Sequence, residues 1–262
     1  MNSEQIQFRF DAFYFFIALD TMKRFFTAGM TDTGLIRSVN QDAYSVDSEE
    51  RFFIVADGMG GHAGGQEASR IAIETMQAFL TQQWDTDLDS ETLLQQAVLE
   101  ANQAILKDQQ LHPERSDMGT TAVVVIFRNE QPLYAHIGDS RLYRLRGAKL
   151  EQITEDHTWV ARAMRLGDIT PDQARVHPMR HVLAQCLGRP DLETVEVRSL
   201  SVQPGDRLLL CSDGLTEELS DQLIENHLKS IRACEKAATA LINAAKDRGG
   251  RDNITVVIVA IP

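Results

Sequence analysis

Two uninterrupted apolar segments constrain the fold of this chain more than any other feature. Residues 52–56 and 254–261 each have the length of a β-strand and lack the polar face of a half-buried strand. The first segment is predicted to be a strand covered on both faces. The second segment, rich in Val and Ile, must pair inside a sheet because it offers no polar edge.

Further strands are predicted at residues 22–26, 121–127, 133–137, 141–145, 149–153, 194–197 and 207–211. Three helices are predicted where apolar residues recur at helical spacing. These residues are Ala68, Ile71, Ala72, Met76, Phe79 and Leu80, then Leu94, Ala97, Val98, Ala101 and Ile105, and finally Ala237, Ala238, Leu241, Ile242 and Ala245. The short connections between residues 121 and 153 predict antiparallel hairpins. Helices grouped between runs of antiparallel strands predict a layered α+β fold.

The 262 residues fit a single domain with a small insertion. Residues 1–21 do not resemble the rest of the chain and are interpreted as an extension, or as sequence included by an upstream start codon, which leaves 22–262 as the domain. Residues 156–190 are polar and irregular. Within them, Thr170-Pro171-Asp172-Gln173 predicts a capped helix start, so this segment is interpreted as a helical insertion.

Composition argues against several classes of partner. The formal net charge of −12 disfavours a general affinity for nucleic acid or anionic lipid, which require clustered Lys and Arg. Residues 13–19 are apolar but shorter than the roughly 20 residues that cross a bilayer. The three cysteines have no zinc-site spacing and cannot all pair, so a reducing cytoplasm is the expected location.

Four of the predicted strands adjoin a turn that carries an aspartate: Asp57, Asp139, Asp213 and Asp252. A single Asp-Gly turn usually serves only to reverse the chain, but four are harder to explain in this way. If the strand ends converge, the carboxylates repel one another unless a cation neutralises them, and an all-oxygen set favours Mg²⁺ or Mn²⁺. Two such ions can support phosphoryl transfer without a protein nucleophile.

Seven segments then form an ordered set of motifs. They are residues 34–42, 55–65, 118–121, 135–141, 156–158, 209–215 and 250–257. In identity, order and spacing they closely resemble the metal-dependent serine/threonine protein phosphatases, the protein phosphatase 2C family, in its compact bacterial form. The resemblance covers residues 23–261. It implies a four-layer α/β/β/α sandwich of two mainly antiparallel sheets flanked by helices, with residues 156–190 as a small helical flap.

The resemblance also implies a role for each matching residue. Asp57 is expected to bridge two metal ions, with Gly58 as a backbone-carbonyl ligand and with Asp213 and Asp252 completing the pair. Asp139 is expected to hold a weaker third ion. Two further residues complete the expected site: Asp42, which binds the waters of the ions, and Arg37, whose planar fork suits a phosphate clamp.

Some positions leave alternatives open. Gln41 stands where many relatives carry Glu, which removes one acidic acceptor near the metals. His62, in the glycine-rich turn, is either a general acid for the leaving alkoxide or a histidine that orders the turn. His136 and Cys211 are interpreted as core residues. The flap arginines either steer substrates or lie on solvated helix faces, the interpretation favoured here; they are Arg162, Arg165, Arg175 and Arg180.

The resulting hypothesis is hydrolysis of phosphoserine and phosphothreonine on proteins by in-line attack of a hydroxide that bridges two Mn²⁺ or Mg²⁺ ions. The expected partners are phosphorylated proteins, including a cognate serine/threonine kinase whose signalling the enzyme reverses. A monomer without nucleic-acid or membrane partners is expected. Two alternatives remain: a catalytically inactive binding protein of the same fold, and a phosphatase that acts on small phosphate esters.

Overall fold

The computed structural model describes residues 25–61, 64–129 and 131–262, with the backbone alone at residues 171 and 175. The strands within these residues are β1 (Phe26–Asp32), β2 (Asp42–Val46), β3 (Phe52–Met59), β4 (Gly119–Thr120), β5 (Ala122–Ile126), β6 (Leu133–Ile137), β7 (Arg141–Arg146), β8 (Lys149–Gln152), β9 (Val197–Ser199), β10 (Arg207–Cys211) and β11 (Ile254–Ala260). The α-helices are α1 (Gly64–Gln83), α2 (Ser90–Leu111), α3 (Trp159–Leu166), α4 (Pro171–Arg175), α5 (Asp213–Thr216), α6 (Asp221–Ser230) and α7 (Cys234–Lys246). A 3₁₀ turn, Pro113–Arg115, follows α2.

The strands form two antiparallel sheets. The first sheet has the order β1-β11-β10-β7-β8, and the second has the order β2-β3-β5-β6-β9 with β4 paired to β3. β11 lies between β1 and β10. This confirms the prediction that the last strand pairs inside a sheet.

Three apolar layers hold the sandwich together. Alternate residues of β3 point in opposite directions, so Phe52 and Ile54 pack against α1 and α2 while Phe53 and Val55 face the first sheet. The first sheet packs its other face on α5, α6 and α7. Both faces of β3 and β11 are therefore covered, which explains their uninterrupted apolar sequences. The predicted four-layer α/β/β/α sandwich is confirmed.

The hairpin predicted between residues 133–137 and 141–145 is wrong. β6 pairs with β5 and β9 in the second sheet, whereas β7 pairs with β10 and β8 in the first. Gly138 in the connection has a φ of +101°, and a Cβ there would lie 2.6 Å from Thr121 Cγ2. Glycine permits this tight crossing because it tolerates positive φ and needs no side-chain space. Asp139 therefore lies in the connection that leads from the second sheet to the first.

Two strand boundaries also differ from their predictions. The strand predicted at 194–197 is β9, Val197–Ser199, because the preceding backbone is bonded to a helix: Gln95 Nε2 donates to Val195 O at 3.1 Å. The strand predicted at 22–26 begins at Phe26 and continues to Asp32, and residues 22–24 lie outside the described residues. The small residues of β1 give no apolar strand pattern in the sequence. One of them, Gly29, leaves room for the Tyr44 ring.

Residues 156–190 contain α3 and α4. Thr158 Oγ1 accepts from Ala161 N at the start of α3, and Gly167, with a φ of 81°, ends it. The predicted capping box of α4 is confirmed, since Thr170 and Gln173 exchange side-chain and backbone hydrogen bonds. Residues 1–21 lie outside the described residues, so their separation from the domain stays a prediction. Among the helices of the described residues, none has the length and apolarity to span a bilayer.

Candidate metal centre

The register of the two sheets collects carboxylates at one end of the sandwich. In the second sheet, Asp42 at the start of β2 lies opposite Asp57 near the end of β3. In the first sheet, the end of β10 lies beside the starts of β7 and β11. Asp213 follows β10, Asp252 precedes β11, and Asp139 precedes β7. The convergence expected from the sequence is therefore what the topology produces.

Asp57 lies within a strand rather than in a turn after it. β3 continues to Met59 because its last two residues pair with β4. Thr121 N donates to Asp57 O at 2.8 Å, and Asp57 N donates to Thr121 Oγ1 at 2.9 Å. The Thr121 hydroxyl also lies 2.7 Å from Ser140 Oγ, next to Asp139. Thr121 thus connects the backbone of Asp57 to Ser140, the residue that follows Asp139.

The carboxylates act strongly on one another. Burial raises the pKa of Asp57 well above its usual value, and the surrounding charges raise it further; they belong to Asp42, Asp213, Asp139 and Asp252. Burial likewise raises the pKa of Asp213, with Asp139 as the largest charged contributor. Burial raises the pKa of Asp139 to about 6, and the charge of Asp156 adds to it. The group is an electrostatically unfavourable cluster in the absence of a cation.

The donor set fits a hard divalent cation. In the described part of the chain, no salt bridge joins Asp57, Asp139 or Asp213 to a basic residue. Asp42 is 8% exposed, and its Oδ1 is buried without a hydrogen-bond donor from the described residues. Burial raises the pKa of Asp42 to about 6. Clustered carboxylate oxygens with an unsatisfied buried acceptor are the environment that Mg²⁺ and Mn²⁺ complete.

Arg37 lies at the edge of the carboxylate cluster. Its Nη2 donates to Asp252 Oδ2 at 2.7 Å, and half of its side chain is exposed to solvent. The hydrogen bond to Asp252 raises the pKa of Arg37, and the charges of Asp57 and Asp213 raise it further. The guanidinium is therefore a permanent positive charge that faces both the carboxylates and solvent.

Asn253 fixes the loop that carries Arg37. It is 3% exposed, and its Nδ2 donates to Thr33 O at 2.9 Å and to Val39 O at 3.0 Å. Its Oδ1 accepts from Gln41 N at 2.8 Å. The sequence interpretation did not assign Asn253 a role. The signal was present, because the residue follows Asp252 directly within the 250–257 motif.

Ser212 supports Asp42 in the same way and was also missed. Its hydroxyl donates to Asp42 Oδ2 at 2.7 Å and accepts from Thr255 N at 3.0 Å. Ser212 is fully buried, so both bonds lie away from water. The residue connects the two sheets, because Asp42 belongs to β2 and Thr255 to β11. Its position beside Asp213 in the 209–215 motif was the available signal.

Glycines allow backbone to approach closely at two places in the site. A Cβ at Gly58 would lie 1.9 Å from Gly65 O and 2.7 Å from Gln41 O. A Cβ at Gly214 would lie 2.0 Å from Asn253 O. Because the clashing atoms are backbone, neither position accepts a side chain without moving a loop of the site. This space requirement accounts for the glycines that follow Asp57 and Asp213.

Within the 156–190 segment, His181 reaches the site by contacting Glu217. His181 Nδ1 lies 2.7 Å from Glu217 Oε1. Glu217 follows α5, and its N–H donates to Asp213 O at 2.8 Å. One ligand-type atom from each of these three residues lies within 4.8 Å of the others. The sequence interpretation missed this contact, since His181 and Glu217 are far apart in sequence.

The remaining predicted residues have mixed outcomes. His62 lies outside the described residues, so both interpretations of it remain. His136, interpreted from the sequence as a core residue, is half-buried in β6: burial lowers its pKa, and its Nε2 donates to Glu155 O at 2.8 Å. Cys211 is buried in β10, as predicted. Gln41 reaches the glycine-rich turn, where its Nε2 lies 3.5 Å from Gly60 O.

The flap arginines whose side chains are described are exposed. They are Arg162, Arg165 and Arg180. Arg165 lies 3.8 Å from Glu155, a contact between two solvated side chains. Exposure is required for substrate steering and is equally typical of a solvated face, so both interpretations remain.

Comparison with known proteins decides the family. A family model described as Protein phosphatase 2C matches residues 37–254. The chain belongs to the protein phosphatase 2C family. The resemblance found in the sequence is thereby confirmed, and with it the assignment of the chain as a protein-serine/threonine phosphatase.

Bacterial members of the protein phosphatase 2C family are similar over most of this chain. The serine/threonine phosphatase stp of Listeria monocytogenes serotype 4b is 37% identical over 238 residues, which cover 87% of this chain and 93% of the relative. The serine/threonine protein phosphatase PstP of Mycobacterium tuberculosis is 38% identical over 235 residues, or 89% of this chain. The chain matches 44% of the length of PstP, so the remainder of that protein has no counterpart in the match.

Solved structures of the family share the fold. The crystal structure of the M. tuberculosis phosphatase PstP/Ppp superposes with a TM-score of 0.82 at 37% identity, covering 90% of this chain and 97% of that one. The PstP catalytic domain in complex with two manganese ions superposes with a TM-score of 0.77 at 36% identity, covering 89% and 96%. A two-metal requirement is consistent with the carboxylate cluster described above.

Proposed function

We propose that this protein hydrolyses phosphoserine and phosphothreonine on proteins, with a hydroxide that bridges two Mn²⁺ or Mg²⁺ ions as the nucleophile. The observation that carries the proposal is the convergence of four aspartates at one end of the sandwich beside the exposed guanidinium of Arg37. Reversal of a cognate kinase's signalling, a cytoplasmic location and a monomeric state belong to the same proposal.

Each acidic residue has a proposed part in holding the ions. Asp57 is the proposed bridging ligand, because the charges of all the other aspartates act on it. Asp213 and Asp252 complete the pair from the first sheet, and Gly58 contributes its backbone carbonyl. Asp139 is the proposed ligand of a weaker third ion. When bound, the ions supply Lewis acidity and a water of lowered pKa.

The protein itself contributes binding and orientation. Arg37 is proposed to hold two oxygens of the substrate phosphate, which its planar fork can do in one plane. Its bond to Asp252 holds the guanidinium beside the cluster, and Asn253 fixes the loop beneath it. Asp42, held by Ser212, is proposed to orient the waters of the ions from the second sheet. His62 remains the candidate general acid for the leaving alkoxide.

The test is turnover of phosphoserine, phosphothreonine and phosphotyrosine peptides with Mn²⁺, alongside calorimetric titration of Mn²⁺. We expect turnover of the first two and loss of more than about 100-fold in Asp57→Asn and Asp213→Asn, since each removes a proposed direct ligand. Asp87→Asn, in the exposed loop between α1 and α2, is the matched control. Unchanged Mn²⁺ binding in Asp57→Asn would overturn the metal assignment.

The same assays separate the two alternatives. A binding protein without catalysis would titrate with Mn²⁺ and leave every phosphopeptide intact. A phosphatase for small esters would turn over phosphorylated metabolites faster than peptides. Retention of the carboxylate cluster, Arg37 and their supporting residues favours the protein phosphatase, because a site without catalysis has no need of all of them.

A further inference from the structure

The motif Asp156-His157-Thr158 lies outside the carboxylate cluster, between the turn that carries Asp139 and the base of the flap. We call these three residues the DHT junction. Asp156 accepts two hydrogen bonds from Arg141, Nε to Oδ1 at 2.9 Å and Nη2 to Oδ2 at 2.6 Å. Thr158 caps α3 of the flap. Asp156 is thus bonded to β7, and Thr158 is bonded to the flap.

His157 holds the peptide groups of Gly138 on both sides. The backbone N–H of His157 donates to Gly138 O at 2.8 Å, and Gly138 N donates to the His157 ring at Nδ1, at 3.3 Å. Gly138 makes the positive-φ crossing between the sheets and directly precedes Asp139. The orientation of Asp139 therefore depends on the peptide groups of Gly138, which are hydrogen-bonded to His157.

The imidazole of His157 is itself held in place. It stacks on the ring of His136, with 4.3 Å between centroids and 31° between planes. His136 sits in β6 and is fixed by its bond to Glu155 O. Burial lowers the pKa of His157 to about 4, so the ring is neutral at pH 7. Because Nδ1 accepts from Gly138 N, the ring proton lies on Nε2.

The flap is attached to the same residue. Ala184 N donates to His157 O at 2.7 Å, and Trp159 N donates to Val182 O at 2.8 Å. An isolated bridge joins Thr158 to Leu183. Residues 182–184 of the flap thus bond to the DHT junction through their backbone, immediately after His181, which contacts Glu217.

We infer that His157 is a positioning residue for Asp139: its Nδ1, bonded to Gly138 N–H, fixes the turn that aims the Asp139 carboxylate into the metal centre. The inference rests on the proposed function, because it takes Asp139 as the ligand of the weaker ion. Partners that orient a metal ligand typically change metal affinity by about 10- to 100-fold when they are removed. We therefore expect the weaker Mn²⁺ binding step to depend on an acceptor at this position.

The experiment is calorimetric titration of Mn²⁺ into the full chain and its variants. His157→Asn keeps an acceptor near the position of Nδ1, whereas His157→Gln places its amide near Nε2 and His157→Ala has none. We expect the parent to show a weak Mn²⁺ binding step that Asp139→Ala removes. His157→Ala and His157→Gln should weaken this step about 10-fold, whereas His157→Asn should largely retain it. The tight step should stay unchanged in all four, and His112→Ala, at the exposed end of α2, is the control.

Several outcomes would overturn the inference. If Asp139→Ala removes the weak step while His157→Ala and His157→Gln leave it as in the parent, His157 does not act through Asp139. Equal weakening of this step by His157→Asn and His157→Gln would show that the acceptor at Nδ1 does not control Mn²⁺ binding. This comparison remains valid even if His157→Ala unfolds. If Asp139→Ala leaves the titration unchanged, the third-ion assignment falls and the inference with it. Loss of the tight step in Asp57→Asn tests the proposed function separately.

Discussion

Asp42 and Asp57 lie directly opposite each other on the neighbouring antiparallel strands β2 and β3. Like charges in this relationship destabilise a sheet, and here Asp42 is buried and Asp57 is half-buried. The repulsion makes the metal-free fold less stable. A bound cation offsets it, because both carboxylates attract the cation. The pair therefore links stability to metal binding, and it leads to the first prediction.

Asp42→Asn is expected to stabilise the metal-free protein at pH 7. The pKa of Asp42 rises from 3.8 to about 6 on folding, a difference that corresponds to up to about 3 kcal/mol of lost stability at neutral pH. The folded state binds the proton more tightly, so this loss develops as the pH rises from about 4 to 6 and is absent below 4. Thermal unfolding in chelator from pH 4 to 7 measures it.

The matched control for Asp42→Asn is Asp47→Asn, which should have the opposite sign. Asp47 is also buried, but hydrogen bonds from Arg51 outweigh burial and hold its pKa below the usual value. Its contribution is present at neutral pH and is lost as the pH falls through its lowered pKa. Destabilisation of the metal-free protein by Asp42→Asn at pH 7 would contradict the account of repulsion.

Ser212→Ala is expected to weaken both the fold and the metal site. The substitution leaves the buried Asp42 Oδ2 and Thr255 N–H without their partner, which costs about 1–3 kcal/mol. Denaturant unfolding gives the change in stability, and calorimetry gives the change in Mn²⁺ affinity. Ser45→Ala removes a buried hydroxyl in β2 that bonds Gln77 at 3.1 Å, and it should leave Mn²⁺ affinity unchanged. Equal Mn²⁺ affinities in Ser212→Ala and the parent would refute the role assigned to this serine.

Arg37→Lys is expected to raise the KM for phosphopeptides about 10-fold or more, with a smaller effect on Mn²⁺ binding. Lysine keeps the positive charge but loses the fork that can hold two phosphate oxygens. Inorganic phosphate should inhibit the variant less strongly for the same reason. The control is Arg198→Lys, which changes an exposed arginine of β9 that pairs with Glu196, and it should behave as the parent. An unchanged KM in Arg37→Lys would remove the phosphate clamp from the proposal.

Gly58→Ala and Gly214→Ala are each expected to abolish activity or to prevent folding. Their added Cβ would lie 1.9 Å and 2.0 Å from backbone oxygens, so a loop of the site must move in either variant. Gly61→Ala, three residues after Gly58, meets nothing within 4 Å and should change stability by less than about 0.5 kcal/mol. Circular dichroism, thermal unfolding and phosphopeptide turnover distinguish these results. A fully active Gly58→Ala enzyme would show that the close approach is not required.

The sequence by itself determined the layers and the chemistry of the ligands. The apolar sequence of β3 required cover on both faces and that of β11 required pairing inside a sheet, because strand burial is a local property of the residues. The motifs around Asp57 and Asp213 carried the family. Tertiary structure decided how the parts meet. Gly138 turns a predicted hairpin into a crossing between sheets, and only that crossing sets Asp139 against the DHT junction.

The supporting contacts of the site likewise required the folded chain. Ser212 reaches Asp42 across 170 residues, and Asn253 holds Gln41 across 212. The sequence marks such residues only by their place beside an aspartate, since a hydroxyl or an amide has many partners available and no pattern along the chain selects one. The aspartates at the strand ends were therefore readable as candidate metal ligands, while the residues that support them became visible only when the two sheets were packed together.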